Sequence, residues 1–558
     1  MYANNIDIVK VGSLRLFKAM IDQLNLVETI NGCVQWDKEQ CHLSPGELIA
    51  SVIMAMFYGR RTLYNLDELF EDQDLELLFG RSDLKPKDFN DGCLGRALDR
   101  IAGSGFHTIF GTAAFMAKRI HGLSNRVCHA DTTSFQVYGD YEAGDSWEPD
   151  AFAITRGYNK HSRFGLLQFK LGLATNEEGI PFYGEALSGN TDGKVWCKTF
   201  IELLPELRRF LDEDTILVID SAAMTDGNLR EATNGVRLIS RLPETFSLCG
   251  ELEEEALRTG DWQPVDFSPD EKRNAEYRVQ YFSRAFKGGT HRFVVVESKP
   301  LERAKSETID RSVVKEAETL SKCIAALAKE RFTTSEAAET VWNERMKGIA
   351  PAYHSPAHEI DESEKTVKRN HRGRPAKDEE PRTERVYTIS ARIGEADADK
   401  TAHAKALGKL FVLFSSAGDL TASEVLGYYK GRSCIESRFA FLKDPLIVGP
   451  IYLKLPERVE ALSHIMLLAL LVYSLFERKI RVGLQNEEPY HVGGSYKTRK
   501  PKGTTVMRSL EGLSILRIRG PNGIERQLPA NVNVKAKRIV RLCGFDIDIY
   551  VNPPVRVT

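Results

Sequence analysis

The sequence of 558 residues has no C-x-x-C pair, no hydrophobic run long enough for a typical membrane span, and almost no net charge. Its nine cysteines are scattered, which favours reduced thiols and argues against a disulfide framework or a zinc site. The longest apolar stretch, 462–476, is short and contains His464. The start of the chain also lacks a cationic segment followed by an apolar run. We therefore expect a soluble protein of the cytoplasm, with no membrane partner.

Charged residues are abundant but balanced, and the formal net charge is only −2. A role with nucleic acid is therefore not visible in the total charge and would depend on local basic patches. Such patches occur at 497–502 and 535–538, within a basic C-terminal region at 481–558. Because the length is too great for one ordinary domain, we expect three or four modules.

Residues 1–110 have the pattern of a helical N-terminal domain. The segment 44–47 (Ser-Pro-Gly-Glu) is a capping box with proline at the first helical position, and an apolar run follows it. Helical periodicity also covers 91–102. Arg60 and Arg61 lie just beyond a helix end, where a small DNA-binding bundle could use them. A plain helical subdomain with ordinary surface charges is the alternative.

From residue 126 the pattern changes to strands and helices in the order β-β-β-α-β-α-β. These elements are predicted at 127–138, 166–174, 180–187, 195–211, 215–220, 226–232 and 236–242. This is the order of a ribonuclease H-like fold, in which the first and fourth strands lie side by side. Asp131 in the first strand and Asp220 at the end of the fourth would then approach each other. We expect an α/β catalytic core, a mixed sheet flanked by helices, with its first part at 111–244.

Residues 245–418 interrupt this core as a mainly β insertion domain. Its predicted strands are 278–286, 292–297, 385–393 and 410–415, and its predicted helix is 307–331. The segment 351–385 is dense in charge and poor in apolar residues, so we predict a flexible loop. Within it, Arg372-Gly373-Arg374 matches the core of an AT-hook, which places two arginines in an A·T minor groove. A solvated charged loop explains the same residues.

The stretch 429–443 predicts a helix with one polar face, in the second part of the core at 419–480. At about 100° per residue, four polar side chains fall within an arc of roughly 60°: Tyr429, Arg432, Glu436 and Lys443. An apolar stripe beside them would pack the helix against a core. The ordinary explanation is the solvated face of an amphipathic helix with i,i+4 ion pairs. Glu436 follows two strand-end aspartates in the chain, and this order favours a functional role for the polar face over a solvated surface.

Asp131, Asp220 and Glu436 together would form a carboxylate triad. Such an oxygen-rich set suits two Mg²⁺ ions, for which Mn²⁺ would substitute. Two metals could activate a water or a 3′-hydroxyl and stabilise the leaving 3′ oxygen, without a covalent protein intermediate. A single aspartate at a strand end is usually a turn or cap residue, so the hypothesis rests on all three. We interpret His129, two residues before Asp131, as a neighbour that tunes the site and not as a ligand.

The spacing Tyr-x2-Arg-x3-Glu-x6-Lys over 429–443 resembles the signature of a large group of bacterial insertion-sequence DDE transposases, the YREK group. Segments 131–134 (Asp-Thr-Thr-Ser) and 218–220 (Val-Ile-Asp) look like the two aspartate motifs of that group. Segments 157–163, 179–182 and 189–192 also resemble it.

The resemblance implies metal-ligand roles for Asp131, Asp220 and Glu436. It implies contacts with DNA ends for Tyr429, Arg432 and Lys443. It also implies an insertion that is largely β, and here the chain departs from the group by its long helix and its charged loop.

We therefore predict a metal-dependent transposase that acts on double-stranded DNA, most simply as a homodimer on paired inverted-repeat ends. It would cleave phosphodiesters and transfer 3′ ends to a target, in the nucleoid of a bacterial or archaeal cytoplasm. A nuclease of the same fold without strand transfer is the enzymatic alternative. The non-enzymatic alternative is a domesticated DNA-binding derivative, and the intact triad argues against it.

Overall fold

A computed structural model of the protein describes residues 5–58, 65–138, 141, 151–157, 166–227, 229, 236–265, 277–367, 382–445, 447, 451, 453–521 and 523–554. The described chain is mixed α/β, with a ten-stranded mixed sheet, a three-stranded sheet and two hairpins. Helices pack on the large sheet and also form most of the N-terminal part.

The N-terminal part consists of strand β1 (Asn5–Lys10) and seven helices. These helices are α1 (Leu14–Gln23), α2 (Leu26–Cys33), α3 (Pro45–Tyr58), α4 (Leu66–Glu71), α5 (Leu75–Phe79), α6 (Asp91–Ala102) and α7 (Phe106–His121). The predicted capping box at the start of α3 is present: the Ser44 backbone N–H donates to the Glu47 carboxylate at 2.9 Å, and the Glu47 N–H donates to Ser44 Oγ at 3.2 Å. Helix α3 is buried along nearly its whole length, so it is the core of this helical part.

The centre of the large sheet is built from the next part of the chain. Its elements are β2 (Val127–Gln136), β3 (Thr155–Arg156), β4 (Leu167–Asn176), β5 (Pro181–Ser188), α8 (Gly193–Leu203), β6 (Ile216–Ile219) and β7 (Arg237–Arg241). A tight turn joins β4 to β5, in which Gly179 has a φ of +74° and its N–H donates to Asn176 O. The helix predicted over 195–211 ends earlier, at Leu203, because Pro205 offers no backbone N–H; a short 3-10 helix (Glu206–Arg209) follows.

The pairing of β2 with β6 agrees with the order of elements in the sequence. The two strands are parallel, with Val127 opposite Ile216 and His129 opposite Val218. Strand β4 pairs antiparallel with the other edge of β2, and β5 pairs antiparallel with β4. Strand β7 continues the sheet beyond β6 in parallel. The first and fourth strands of the predicted unit therefore lie side by side.

Residues 247–415 contribute both an extension of this sheet and a separate hairpin. Their elements are α9 (Ser247–Thr259), β8 (Gln263–Val265), β9 (Tyr277–Phe286), β10 (Gly289–Ser298), α10 (Lys299–Leu327), α11 (Ser335–Ile349), β11 (Ala357–Thr366), β12 (Thr383–Arg392), α12 (Ala398–Gly408) and β13 (Leu410–Ser415). Strand β13 pairs directly with β7, and β10, β9 and β8 follow it, so these strands continue the large sheet.

The prediction of a flexible loop at 351–385 is partly wrong. Residues 357–366 form β11, which pairs along its whole length with β12 from Ala357–Arg392 to Thr366–Thr383. The strand is almost entirely exposed, so it has no apolar alternation that a sequence pattern could detect. Its base is held instead by His358, which stacks on Trp342 with ring centroids 4.3 Å apart and bonds Glu339 at 2.8 Å.

The last part of the chain carries the polar stretch and then returns to the N-terminal helices. Its elements are α13 (Ala422–Gly431), α14 (Ser433–Leu442), α15 (Pro456–Gly483), β14 (Tyr490–Gly493), β15 (Tyr496–Thr498), α16 (Gly503–Met507), β16 (Ser514–Gly520), β17 (Gly523–Gln527) and α17 (Val534–Leu542). Strand β16 pairs with β1, and Tyr550 Oη donates to Gly12 O at 2.9 Å. The two ends of the described chain thus share one structural part.

Helix α15 is long and apolar enough to cross a membrane by length and composition, but 94% of its apolar window is buried inside the protein. It packs against β5 and several N-terminal helices, and His464 within it stacks on Phe106 with ring centroids 3.9 Å apart. The helix is therefore a core element, which is consistent with a soluble protein.

Candidate active site

Two aspartates meet where β2 and β6 end their parallel pairing. Continuing the register of these strands by two positions from the His129–Val218 pair places Asp131 opposite Asp220. Asp220 directly follows β6 and caps a short 3-10 helix, with its Oδ1 accepting from Ser221 N at 2.8 Å. The predicted approach of these two carboxylates is therefore present. Their side chains remain 17% and 33% exposed, so both can reach a substrate.

The guanidinium of Arg432 bridges the two aspartates. Its Nη1 lies 2.8 Å from Asp220 Oδ1, and its Nη2 lies 3.2 Å from Asp131 Oδ2. Burial disfavours the charge on Arg432, but the two carboxylates outweigh it and raise the pKa of the guanidinium. The sequence predicted a DNA contact for Arg432; the structure places it on the aspartate pair.

The helical stretch around Arg432 is not one uninterrupted helix. Helix α13 ends at Gly431, Arg432 forms a turn, and α14 begins at Ser433. Lys443 lies just after Leu442, the last residue of α14, instead of inside the helix. The break is small, because the Arg432 carbonyl still accepts from Ile435 N at 3.1 Å. Arg432 itself keeps right-handed helical backbone angles, with φ at −51° and ψ at −25°.

The pleat of β2 and β4 decides which side of the sheet each group occupies. Directly opposed residues of an antiparallel pair point to the same face, and Asp131 is opposite Leu173 while His129 is opposite Thr175. Thr175 contacts Cys434 of α14, with 3.8 Å between Oγ1 and Sγ. Helix α14 therefore covers the face that carries Asp131.

Helix α8 covers the opposite face. A Cβ on Gly172, which is opposite Thr132, would lie 2.3 to 2.6 Å from the Trp196 indole, and a Cβ on Gly193 would lie 2.8 Å from Thr132 Oγ1. Both glycines therefore permit the close packing of α8 on this face. The two aspartates lie at the strand ends between α8 on one face and α14 on the other.

A cleft of about 930 Å³ opens at this point. It is lined by Asp131 and Asp220, by the α14 side residues Arg432, Glu436, Phe439, Ala440 and Lys443, and by the α8 side residues Lys170, Asn190, Asp192, Lys194 and Cys197, among others. Glu436 and Lys443 are exposed, and the Lys443 ammonium lies 5.7 Å from the centre of the Phe135 ring. Both predicted residues therefore face the same space as the aspartates.

Tyr429 lies behind the cleft on the β13 side. Its ring is 6.2 Å from that of Phe411, and burial raises the pKa of its hydroxyl, an effect that Arg432 partly offsets. A contact between this side chain and DNA stays a prediction from the resemblance.

His129 lies behind Asp131, against the end of α13. A Cβ on Gly431 would lie 3.2 Å from His129 Nε2, so glycine permits this contact. Burial, together with the nearby Arg432 charge, lowers the pKa of His129 to about 4, which keeps the ring neutral. Its Nδ1 is buried with no hydrogen-bond partner in the described part of the chain. This agrees with a neighbour of the site and not with a cation at neutral pH.

Among the residues of the cleft that were not predicted from the sequence are Lys170, Lys194 and Cys197. Cys197 is 4% exposed, and burial, with Asp131 and Asp220 nearby, raises the pKa of its thiol to about 12, so it is not a thiolate nucleophile. Lys170 is the one charged residue of β4, and this was the one available signal for it.

The donor set of the cleft fits a hard divalent cation. Carboxylates are the ligands that Mg²⁺ and Mn²⁺ prefer, and Asp131 and Asp220 already hold a positive group between them. Glu436 lines the same cleft. Among the described residues, no three His, Cys, Asp or Glu side chains lie close enough to hold a metal as they stand. The Arg432 side chain, which bonds two of the three carboxylates, would have to move for an ion to bind there.

Several residues singled out in the sequence lie outside the described residues. They are Arg60, Arg61, Arg372, Gly373 and Arg374, together with most of the segment 157–163.

In a comparison with protein families, residues 6–115 match a domain of unknown function, DUF4277. This domain occurs in transposase-like proteins. The matched residues are the helical N-terminal part and include none of the residues that line the cleft. A search of curated proteins finds no match.

Proposed function

We propose that this protein is a DNA transposase of the DDE type, with Asp131, Asp220 and Glu436 as its metal-binding carboxylates. The observation that carries the proposal is the meeting of two strand-end aspartates in one cleft with the glutamate of the 429–443 stretch. The signature spacing of that stretch and the occurrence of the N-terminal domain in transposase-like proteins support it independently.

The strand arrangement supports a ribonuclease H-like core for this activity. The order β5-β4-β2-β6-β7, with β2, β6 and β7 parallel and β4 antiparallel to β2, has the first and fourth strands adjacent. In open α/β sheets, functional groups gather beyond the carboxyl ends of parallel strands. Asp220 has this position, and the longer β2 carries Asp131 past the same point.

In this proposal the protein supplies binding and charge, and the cofactor is a pair of Mg²⁺ ions for which Mn²⁺ substitutes. When bound, such a pair would supply activation of the attacking hydroxyl and stabilisation of the leaving 3′ oxygen. Arg432 and Lys443 present cations on the α14 side, where they can bind backbone phosphates. The aspartates and Glu436 hold the ions, and the neutral His129 packs behind Asp131 without adding charge.

The remaining parts have roles that follow from the same proposal. The helical N-terminal part binds the inverted-repeat ends, a homodimer pairs two ends, and the reaction takes place in the cytoplasm of a bacterium or archaeon. Arg372, Gly373 and Arg374 add affinity for A·T-rich duplex. A nuclease without strand transfer remains the second candidate function, since the same carboxylates serve both reactions.

The test is a joining reaction on a supercoiled plasmid target, with duplexes that contain the inverted repeats flanking the coding sequence. Wild-type protein with Mg²⁺ should produce plasmid joined to transposon 3′ ends, and Asp131→Asn or Asp220→Asn should produce none while still binding the duplexes. Cutting without joined product would select the nuclease, and binding without cutting in any divalent metal would select a DNA-binding derivative.

A further inference from the structure

The α8 side of the cleft carries its own cations, separate from those of the signature stretch. Lys170 of β4 is opposite Ser134, so its side chain is on the face that α8 covers. Its ammonium donates to the carbonyl of Thr191, just before α8 begins. Lys194, in the first turn of α8, is exposed and lines the same cleft. Two lysines therefore stand across the aspartate pair from Arg432 and Lys443.

The cap of α8 and its packing on the sheet are supplied by other residues. The cap of the helix is Asp192, whose carboxylate accepts from Lys194 N at 2.9 Å, and the packing of α8 on the sheet rests on Trp196 and Gly172. Lys170 is half-buried next to the cleft, where burial lowers the pKa of its ammonium although Asp192 is nearby. Lys170 is also the one charged residue of β4, and both lysines line the cleft, so the pair points to a ligand that carries negative charge.

In-line phosphoryl transfer puts nucleic acid on both sides of the carboxylates. In the first cut, a water oxygen loses a proton and bonds to the phosphorus of the flanking DNA. The transposon 3′ oxygen leaves with the bonding electron pair and takes up a proton, which gives a 3′ hydroxyl. In joining, that 3′ hydroxyl loses its proton and bonds to a phosphorus of the target, whose own 3′ oxygen leaves and takes up a proton. The target phosphate therefore replaces the flank phosphate, on the side opposite the transposon end.

We propose that Lys170 and Lys194 form the site for the backbone of the flanking DNA before cleavage and of the target DNA during joining, while Arg432 and Lys443 hold the transposon end. The proposal rests on the proposed function and assigns the two sides of one cleft to two DNA segments. Both segments are recognised by their phosphates, so this site adds no base preference.

The experiment compares duplexes that end at the transposon terminus with duplexes that continue into flanking DNA, and it measures joining to plasmid as well. Lys194→Gln and Lys170→Gln should weaken binding of the flanked duplex several-fold. Each should also lower the slope of log affinity against log salt by about 1, because one phosphate is no longer neutralised. Binding of the pre-cut duplex should change far less, and the plasmid concentration that gives half-maximal joining should rise.

Lys198→Gln is the matched control, because Lys198 is one turn further along α8, is exposed, and pairs with Glu202 at 3.4 Å. It should behave as wild type on every substrate. Lys170→Arg keeps the charge and should retain most of the affinity for the flanked duplex. If Lys170→Gln unfolds at a lower temperature than wild type, Lys170→Arg separates the effect of lost charge from that of lost stability.

Equal losses on pre-cut and flanked duplexes, or no loss on either, would overturn the assignment of the α8 side. Failure of the proposed function has a different outcome, namely wild-type protein that neither cuts nor joins any duplex in the presence of metal. A wild type that cuts and joins, with variants unchanged at 194 and 170, would remove this inference alone.

Discussion

Arg432 Nη1 lies 2.8 Å from Asp220 Oδ1, although 212 residues separate them in the chain. The same guanidinium also reaches Asp131, so a protein cation neutralises the carboxylates that the proposed function assigns to metal. Without it, two like charges would face each other in a partly closed cleft. Arg432 therefore stabilises the free protein and competes with divalent ions. A DNA phosphate that attracted the guanidinium would release the carboxylates.

From this competition we expect Arg432→Ala to bind Mn²⁺ more tightly than wild type when no DNA is present, by about tenfold. The same variant should melt at a lower temperature in chelator, and Mn²⁺ should restore more of its stability than it does for wild type. Calorimetric titration and thermal melting measure both. Arg458→Ala, which removes a pair with Asp99 outside the cleft, is the control. Unchanged Mn²⁺ affinity in Arg432→Ala would show that the bridge does not oppose metal.

Glu436→Gln should leave binding of transposon ends near normal and remove cleavage in Mg²⁺. The change takes away one charged ligand but keeps the side-chain volume and the helix propensity. Glu436 is exposed, so folding should be unaffected, and a melting curve checks this. Cleavage that persists within about tenfold of wild type, equivalent to about 1.4 kcal/mol of barrier, would contradict the triad.

Gly172→Ala should destabilise the protein by about 1–3 kcal/mol, because its methyl group would collide with the Trp196 indole. The free energy of unfolding from urea titration measures this. Gly250→Ala is the matched control: Gly250 lies within α9, a Cβ there meets nothing within 4 Å, and alanine should be neutral or stabilising. If the two variants were equally stable, α8 would not pack on β4 as described.

Stability should fall with acid partly through His464. Burial, with His107 nearby, lowers the pKa of this ring from an ordinary 6.5 to about 3. The unfolded chain therefore takes up the proton first, so the stabilisation by the neutral ring is complete above pH 6.5 and is lost as the pH falls towards 3.

Over that range His464 contributes up to about 1.4 kcal/mol per pH unit to the dependence of the free energy of unfolding. His464→Leu should flatten the curve of stability against pH between about 6 and 4.5, whereas His491→Gln, at an exposed position, should not. Parallel curves for wild type and His464→Leu would show that the ring is protonated in the folded protein.

The sequence predicted most helices and strands from their hydrophobic periodicity, and it predicted one strand pairing from the order of these elements. The adjacency of β2 and β6, and with it the meeting of Asp131 and Asp220, followed from the order of strands and helices. The partners of Arg432 could not be predicted, because they depend on the register of β2 against β6 and on how the helical stretch packs on the sheet. Helical periodicity alone places Arg432 on an open polar face.

The remaining differences also come from long-range pairing. The apolar patterns of β9, β10 and β13 are typical of buried strands. These patterns do not indicate that β13 pairs with β7, the contact that joins β9 and β10 to the large sheet. Strand β11 has few apolar residues, and its pairing partner and the Trp342–His358 contact decide its conformation. Lys170 was missed because a single charge in a strand has no periodicity.

The pairing of β1 with β16 and the hydrogen bond from Tyr550 to Gly12 bear on the order of synthesis. These last two residues are 538 positions apart, a span that a ribosome takes roughly half a minute to two minutes to translate. Throughout that time the N-terminal helices have emerged without their closing strand. A chain cut short before residue 514 would leave β1 of the N-terminal part with an open strand edge, so prematurely ended products should be good substrates for proteases.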